Sequence, residues 1–168
     1  MPKGLKQTSS LITIGFQVDE SAPDTFTQGS VDLQLNPLDN EIFVVIAADL
    51  NIGSPNTITG VNTQLQAALT STSRTALPNL SDSACIAVTN KTIRSDPIAA
   101  VSFQDHSMET PPAMLEYIAI IATNDFFVQV QGTNNGTAKS VSGKLYGYRA
   151  RADASVYAAL VQSEVLSS

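Results

Sequence analysis

The residues of this chain that are best suited to chemistry are few, and they are not spaced for catalysis. Asp105, His106 and Ser107 are the three residue types of a hydrolytic triad, but they are adjacent in the sequence. Neighbouring residues in a strand or loop point in different directions, so these three cannot form the hydrogen-bonded relay of a triad. The chain also has no Gly-rich phosphate loop, nucleophile elbow or dinucleotide-binding fingerprint. We expect no catalytic residues and no small-molecule substrate.

Metal-ligating residues are equally sparse. One His and one Cys cannot supply the three or four nitrogen or sulfur ligands of an ordinary zinc site. Asp19, Glu20 and Asp24 lie in one turn and could attract Ca²⁺, but the sequence shows no further oxygen ligands at a defined spacing. A solvated turn is the simpler interpretation. Cys85 has no second thiol for a disulfide, and we interpret it as a small buried apolar residue. We expect no metal and no cofactor.

Charge is scarce and its balance is negative. Charged residues make up 14% of the 168 residues and the net charge is −6, whereas about 25% of an ordinary soluble domain is charged. A negative protein is not attracted over long range to phosphate backbones or anionic membrane surfaces. Lys3 and Lys6 are too few to form a basic arm. We therefore expect no direct sequence-specific binding to nucleic acid.

Hydrophobic runs are short throughout the chain. No run approaches the ~20 apolar residues that span a bilayer, and the start, MPKGLKQTSS, lacks the apolar core of a secretory signal peptide. We expect synthesis in the cytoplasm without export by the standard route.

Alternation of apolar and polar residues predicts strands along most of the sequence. The strongest strand is EIFVVIAADLNI, residues 41–52, with apolar side chains on both faces from Ile42 to Ala48. We expect this strand to lie centrally and to be covered on both sides. Eight further segments follow the pattern, around residues 11–16, 26–35, 61–70, 84–93, 101–103, 117–122, 126–131 and 141–149.

Short turns connect these segments, and no helix-length insertion separates them. Asn134, Asn135 and Gly136 predict a hairpin turn, because Asn and Gly tolerate positive φ. Gly143 and Gly147, inside a strand pattern, indicate a bulge or close packing. About eight or nine short strands in a chain of this length predict an all-β fold, a single domain over residues 1–168 built as an antiparallel β-sandwich.

The C-terminal segment differs from the rest because it predicts a helix over residues 153–166. Asp153 is a good N-cap, and apolar residues from Val156 to Val165 share one broad face. Glu164 falls within that face, where a carboxylate needs a partner, and Arg149 and Arg151 are the nearest cations in sequence.

The helix has two possible binding surfaces. It can cap its own sandwich, or it can dock on a neighbouring subunit, and we expect the second because Glu164 suits a contact with a polar rim. The candidate subunit interface then includes residues from the N-terminal arm, residues 1–9, and from the C-terminal region: Lys3, Lys6, Arg149, Arg151, Tyr157, Leu160, Val161, Glu164 and Val165.

Two stretches show a family resemblance. LNPLDNEIFVVIAADLNI, residues 35–52, and KLYGYRARADASVYAALVQSEVL, residues 144–166, resemble small structural proteins of marine or environmental viruses of microbes. The whole is similar to the single jelly-roll capsid proteins of tailless icosahedral viruses. The resemblance implies a jelly roll and a structural role in the virion, with copies of the chain, and optionally a second capsid protein, as partners.

The sequence departs from one feature of many small jelly-roll capsid proteins, because it has no basic arm. This departure implies a shell over an internal membrane or over a genome that other proteins neutralise. The alternative function is a carbohydrate- or receptor-binding β-sandwich on a virion or cell surface. Such a module would show an exposed aromatic platform, and the chain has no Trp and 4 Tyr. A capsid role is therefore favoured.

Overall fold

Strands dominate the computed structural model, which describes residues 2–105 and 115–167. The described residues form ten strands, one short 3-10 turn at Pro37–Asp39 and one α-helix. The strands are β1 (Leu5–Gln7), β2 (Ile12–Asp19), β3 (Thr27–Asp32), β4 (Glu41–Ile52), β5 (Thr63–Thr70), β6 (Cys85–Ser95), β7 (Ala100–Asp105), β8 (Ala119–Ile121), β9 (Asp125–Thr133) and β10 (Ser140–Ala152), and the helix is α1 (Ala154–Ser167).

Two antiparallel sheets of five strands each contain all of these strands. The first sheet has the order β2-β10-β4-β8, with β1 beside the end of β10 on the same edge as β2. The second sheet has the order β3-β9-β5-β6-β7. Without β1 and β7, the strands form the two four-strand layers of a jelly roll, and the chain crosses between the layers at every connection except the one from β5 to β6. The predicted all-β sandwich is confirmed.

The core lies between the two sheets and is centred on β4. Phe43 and Val45 point into the space between the sheets, whereas Ile42 and Val44 point to the outer face of the first sheet. All four are essentially inaccessible to solvent, and each fully buried side chain of this kind contributes roughly 1.5–3 kcal/mol. The prediction of a central strand that is covered on both sides is confirmed.

Glycines in β10 allow it to lie close to β4. A Cβ at Gly143 would overlap the carbonyl oxygen of Asp49, and one at Gly147 would overlap the carbonyl oxygen of Val44. The pairing with β4 shifts register between Tyr146 and Gly147. These are the bulge and the close packing that the sequence predicts.

The connection between β9 and β10 corrects one prediction. Asn134 has a φ of 58°, as a tight turn requires, but β9 and β10 belong to different sheets and do not pair. The segment therefore crosses between the sheets and is not a hairpin. Asn135 is buried there, with its Oδ1 accepting from the N–H of Asn56 at 2.8 Å and its Nδ2 donating to the Gln64 carbonyl at 2.9 Å.

The N-terminal segment is part of the first sheet. Leu5, Lys6 and Gln7 pair with Ala152, Arg151 and Ala150 as a tenth strand that the sequence pattern does not predict. Beyond it, the N–H of Thr8 donates to the Arg149 carbonyl at 2.9 Å. Residues 5–8 of the predicted N-terminal arm are therefore hydrogen-bonded to their own chain.

Candidate subunit interface

The C-terminal helix begins where the sequence predicts. The Oδ1 atom of Asp153 accepts a hydrogen bond from the N–H of Val156 at 2.9 Å, which caps the first turn. The N–H of Asp153 donates to the carbonyl of Gly4 at 3.0 Å. Gly4 has a φ of +80°, and a Cβ there would lie 2.9 Å from Val156. The N-terminal segment therefore passes directly beneath the start of the helix.

The helix packs on the outer face of its own first sheet. Val156, Tyr157, Leu160 and Val161 contact an apolar cluster that includes Ile42, Val44, Ala122, Tyr148, Ala150 and Ala152. The apolar face of the helix packs on its own chain because β4 and β10 carry apolar residues on their outer face, and the helix removes those residues from water. Docking of the helix on a neighbouring subunit stays a prediction.

Glu164 is the most buried helix residue that is described, with 8% exposure. Its two carboxylate oxygens accept hydrogen bonds from the N–H groups of Ala122, at 2.6 Å, and Thr123, at 2.9 Å. The expected pairing with Arg149 or Arg151 is wrong. Both arginines lie before the start of the helix, and Glu164 lies eleven positions after Asp153, which corresponds to ~16 Å along the helix axis.

Arg149 closes one end of the sandwich. Its guanidinium donates to the Glu41 carboxylate at 2.7 Å and to the carbonyls of Leu33 and Gln34 at 2.8 and 2.9 Å. Arg151 pairs with Asp39 at 3.4 Å, and both of these side chains are more than half exposed. An exposed pair of this kind contributes little to stability. Arg149 therefore has a structural role, whereas Arg151 remains available to a partner.

The remaining candidates differ in accessibility. Lys3 and Lys6 are exposed, and Val165 is 61% exposed. Tyr157, Leu160 and Val161 are half-buried beneath their own helix. Contact of any of these residues with another subunit stays a prediction.

The acidic turn is solvated only in part, because Asp19 is exposed whereas Glu20 is buried. Glu20 is 5% exposed, and its carboxylate accepts hydrogen bonds from the N–H groups of Thr25, Gly132 and Lys139 at 2.9 to 3.1 Å. The Asp24 Oδ1 atom accepts from the N–H of Asn135 at 2.9 Å. These carboxylates tie the turn after β2 to the end of β9 and to the segment between β9 and β10. Among the described residues, no group of three or more His, Cys, Asp or Glu is placed to hold a metal.

Of the remaining reactive residues, Cys85 lies in the described part of the chain. Cys85 is half-buried, and desolvation raises the pKa of its thiol to about 11. This thiol is therefore protonated at neutral pH, as befits a packing residue. His106 and Ser107 lie outside the described residues.

The segment between β5 and β6, residues 71–84, covers part of the outer face of the second sheet. Gln129 is fully buried and its Nε2 donates to Thr70 at 2.7 Å and to Gln28 at 2.9 Å. The same Gln28 oxygen accepts from the N–H of Arg74. Arg74 then forms a two-pronged ion pair with Asp82, at 2.7 and 2.8 Å, which lowers the pKa of Asp82. Sequence reasoning missed this network, because its members are far apart in the chain.

The edge strand β7 carries exposed apolar side chains. Val101 and Phe103 are 56% and 53% exposed, and Ile98, in the preceding turn, is 96% exposed. Among the described strands, β7 pairs with β6 alone. Open edges with apolar side chains are surfaces on which another chain can add a strand.

The fold and this surface define the protein as a single jelly-roll β-sandwich with a helix on one face. Comparison with solved structures gives a match to a structure described as Desmodium yellow mottle tymovirus, at 9% identity and a TM-score of 0.30, over 88% of this chain and 92% of that chain. No protein-family model matches the chain. No curated protein matches it either. The described part of the chain has no helix long and apolar enough to cross a membrane.

Proposed function

We propose that the protein is a capsid building block that assembles with copies of itself, with or without a second capsid protein, into an icosahedral shell. The observation that carries this proposal is the strand order, β2-β10-β4-β8 facing β3-β9-β5-β6. Jelly rolls with these two layers serve as capsid subunits, and also as lectin and cupin domains. The choice among these uses depends on the surface and on the interior.

The surface favours contacts between subunits over recognition of a sugar. Among the large hydrophobic side chains described as exposed, Phe103 is the one aromatic residue. Four tyrosines are each at least half-buried, and Tyr148 and Tyr157 pack beneath or within the helix. Because stacking of a sugar or base needs an accessible aromatic face, this surface favours the capsid role. A carbohydrate- or receptor-binding module remains the alternative function.

The edge of the second sheet supports assembly. Val101 and Phe103 lie two residues apart on β7, so they share one face of an open edge strand. Pairing of this edge with another copy would satisfy backbone groups and would bury both side chains. The charge content of 14% fits a surface of which a large part is covered by neighbours.

The net charge of −6 is the basis for the contents that we propose for the shell. A subunit with this negative charge does not neutralise packaged nucleic acid. The shell therefore encloses an internal membrane, or a genome that other proteins neutralise. The proposed location is the virion, after synthesis in the host cytoplasm.

Sedimentation velocity over a range of micromolar concentrations tests the proposal. We expect a defined oligomer, a trimer, pentamer or hexamer, that grows into larger particles on addition of salt. Phe103→Lys, which places a charge on the open edge, should reduce assembly, whereas the control Thr133→Lys, on an interior strand of the same sheet, should not. A strict monomer at all concentrations, with and without salt, would contradict the proposed function.

A further inference from the structure

The backbone of the edge strand β7 has a definite hydrogen-bonding phase. In the turn that precedes it, the N–H of Asp96 donates to the carbonyl of Ala99 at 2.9 Å. This bond marks the two residues as a hydrogen-bonded pair at the start of the β6–β7 ladder, and bonded and non-bonded pairs alternate along an antiparallel ladder. The backbone groups of Val101 and Phe103, which follow Ala99 at steps of two, therefore point toward β6.

The backbone groups of the alternate residues, Ala100, Ser102 and Gln104, point away from β6, to the open edge of the sheet. Within the described part of the chain, these groups have no hydrogen-bond partner on that side. Ala100 and Ser102 are exposed. The edge therefore presents donors and acceptors that a further strand can satisfy.

We propose that β7 pairs antiparallel with β7 of a second copy, about a twofold axis at Ser102. In this register, Ser102 lies opposite Ser102 of the second copy, and Ala100 lies opposite Gln104 of the second copy. Each such pair exchanges two backbone hydrogen bonds, because the outward groups of one strand meet the outward groups of the other. The inference deepens the proposed function and rests on it, since the partner is another subunit of the same shell.

The exposed apolar side chains favour this register. Val101 lies opposite Phe103 of the second copy, at a non-hydrogen-bonded position where the Cα atoms are ~4.5 Å apart. Pairs of an aromatic and a β-branched side chain are favourable across strands. Val101 and Phe103 are 56% and 53% exposed, so both would lose contact with water. A shift of one residue sets outward groups against inward ones, and a shift of two leaves fewer hydrogen-bonded pairs.

The absence of charge in the strand favours a second copy as the partner. When two identical strands pair antiparallel, a charge near the axis meets a like charge of the other copy, which destabilises the pair. Residues 100–104 are AVSFQ and carry no charge, so this repulsion is absent. They also lack the Lys and Pro residues that commonly protect open edges. The contact is small beside the ~1,200–2,000 Å² of a stable interface, so we expect weak pairing in solution that other contacts of the shell reinforce.

Disulfide trapping tests the register. In a Cys85→Ser background, Ser102→Cys places two thiols opposite each other at the axis, where the Cα atoms are ~5.5 Å apart, within the range that a disulfide spans. Oxygen with a copper catalyst takes two electrons and two protons from each pair of thiols, and we expect a covalent dimer on a non-reducing gel. Ala100→Cys is the matched control, because its counterpart in the second copy lies four residues, or ~13 Å, along the strand. Dimers from Ala100→Cys at the same rate, or none from Ser102→Cys, would overturn the proposal.

Amide hydrogen exchange, measured by NMR on the ¹⁵N-labelled parent chain, gives an independent test. We expect the amide of Ser102 to exchange about tenfold more slowly at millimolar than at micromolar concentration, whereas that of Phe103 is protected at both. Protection of Ser102 at every concentration would show that the edge is covered within one chain, and would overturn the proposal. Trapped dimers in a sample that forms no shells would count against the proposed function alone. Shells without trapped dimers would count against this pairing alone.

Discussion

The Oε1 atom of Glu164 accepts a hydrogen bond of 2.6 Å from the backbone N–H of Ala122. This bond joins the last turns of the C-terminal helix to the turn between β8 and β9. A buried carboxylate in an apolar helix face is thereby satisfied by backbone donors of the same chain, so the helix belongs to the subunit on which it packs.

Substitution of Glu164 should destabilise the subunit. Glu164→Ala leaves two N–H groups, those of Ala122 and Thr123, without an acceptor, and each stranded donor costs about 1–3 kcal/mol. Glu164→Gln retains one carbonyl oxygen and should cost less. Urea unfolding measures both, with Gln162→Ala, an exposed position on the same helix, as the control. Equal stability of Glu164→Ala and the parent chain would contradict this role.

Removal of the helix should prevent stable folding. A stop after Ala152 exposes Ile42, Val44 and Ala150, which the helix covers. Full exposure costs roughly 1.5–3 kcal/mol for each large apolar side chain, and a domain of this kind has about 5–15 kcal/mol in total. Thermal melting should show a strongly lowered transition or aggregation. A stop after Glu164, which removes the exposed Val165 and Leu166, should melt close to the full chain.

A truncated chain that melts normally but does not assemble would return the helix to a contact between subunits. That result would contradict its placement on the first sheet.

A side chain at Gly147 should disrupt the pairing of β10 with β4. The new methyl group of Gly147→Ala would overlap the Val44 carbonyl and the Phe43 ring, and overpacking of this kind costs about 1–3 kcal/mol. Gly15→Ala, in β2, is the matched control because a Cβ there has no atom within 4 Å. Denaturant midpoints measure the difference. Equal midpoints for the two variants would show that the strands do not approach this closely.

The Cys85 thiol should react slowly in the folded protein. Burial raises its pKa from 9.0 to about 11, so at pH 8 it forms about a hundredfold less thiolate than an ordinary thiol. Since the folded pKa is the higher one, the neutral thiol favours folding below pH ~9, and this contribution is lost as the pH rises through about 11. Mass spectrometry after iodoacetamide treatment measures the rate. Alkylation at the same rate in folded and urea-unfolded protein would contradict this burial.

The accuracy of prediction from the sequence depended on whether the signal was local. The bounds of β4, residues 41–52, followed from a continuous apolar run, and the Asp153 cap followed from residue type. The residue types Asn134, Asn135 and Gly136 predict a turn, and Asn134 has the positive φ that a turn requires, but turn chemistry does not identify the sheet that the next strand joins. The partners of Glu164 are backbone N–H groups 41 and 42 residues earlier, and a backbone donor leaves no signal in residue types.

Cryo-electron microscopy of particles formed by the purified chain tests the capsid proposal most directly. The account predicts closed shells with icosahedral symmetry, in which each subunit shows the two facing sheets with α1 on its own first sheet. Samples that contain only monomers, in low or high salt and with lysate of the virus-producing host added, would contradict it.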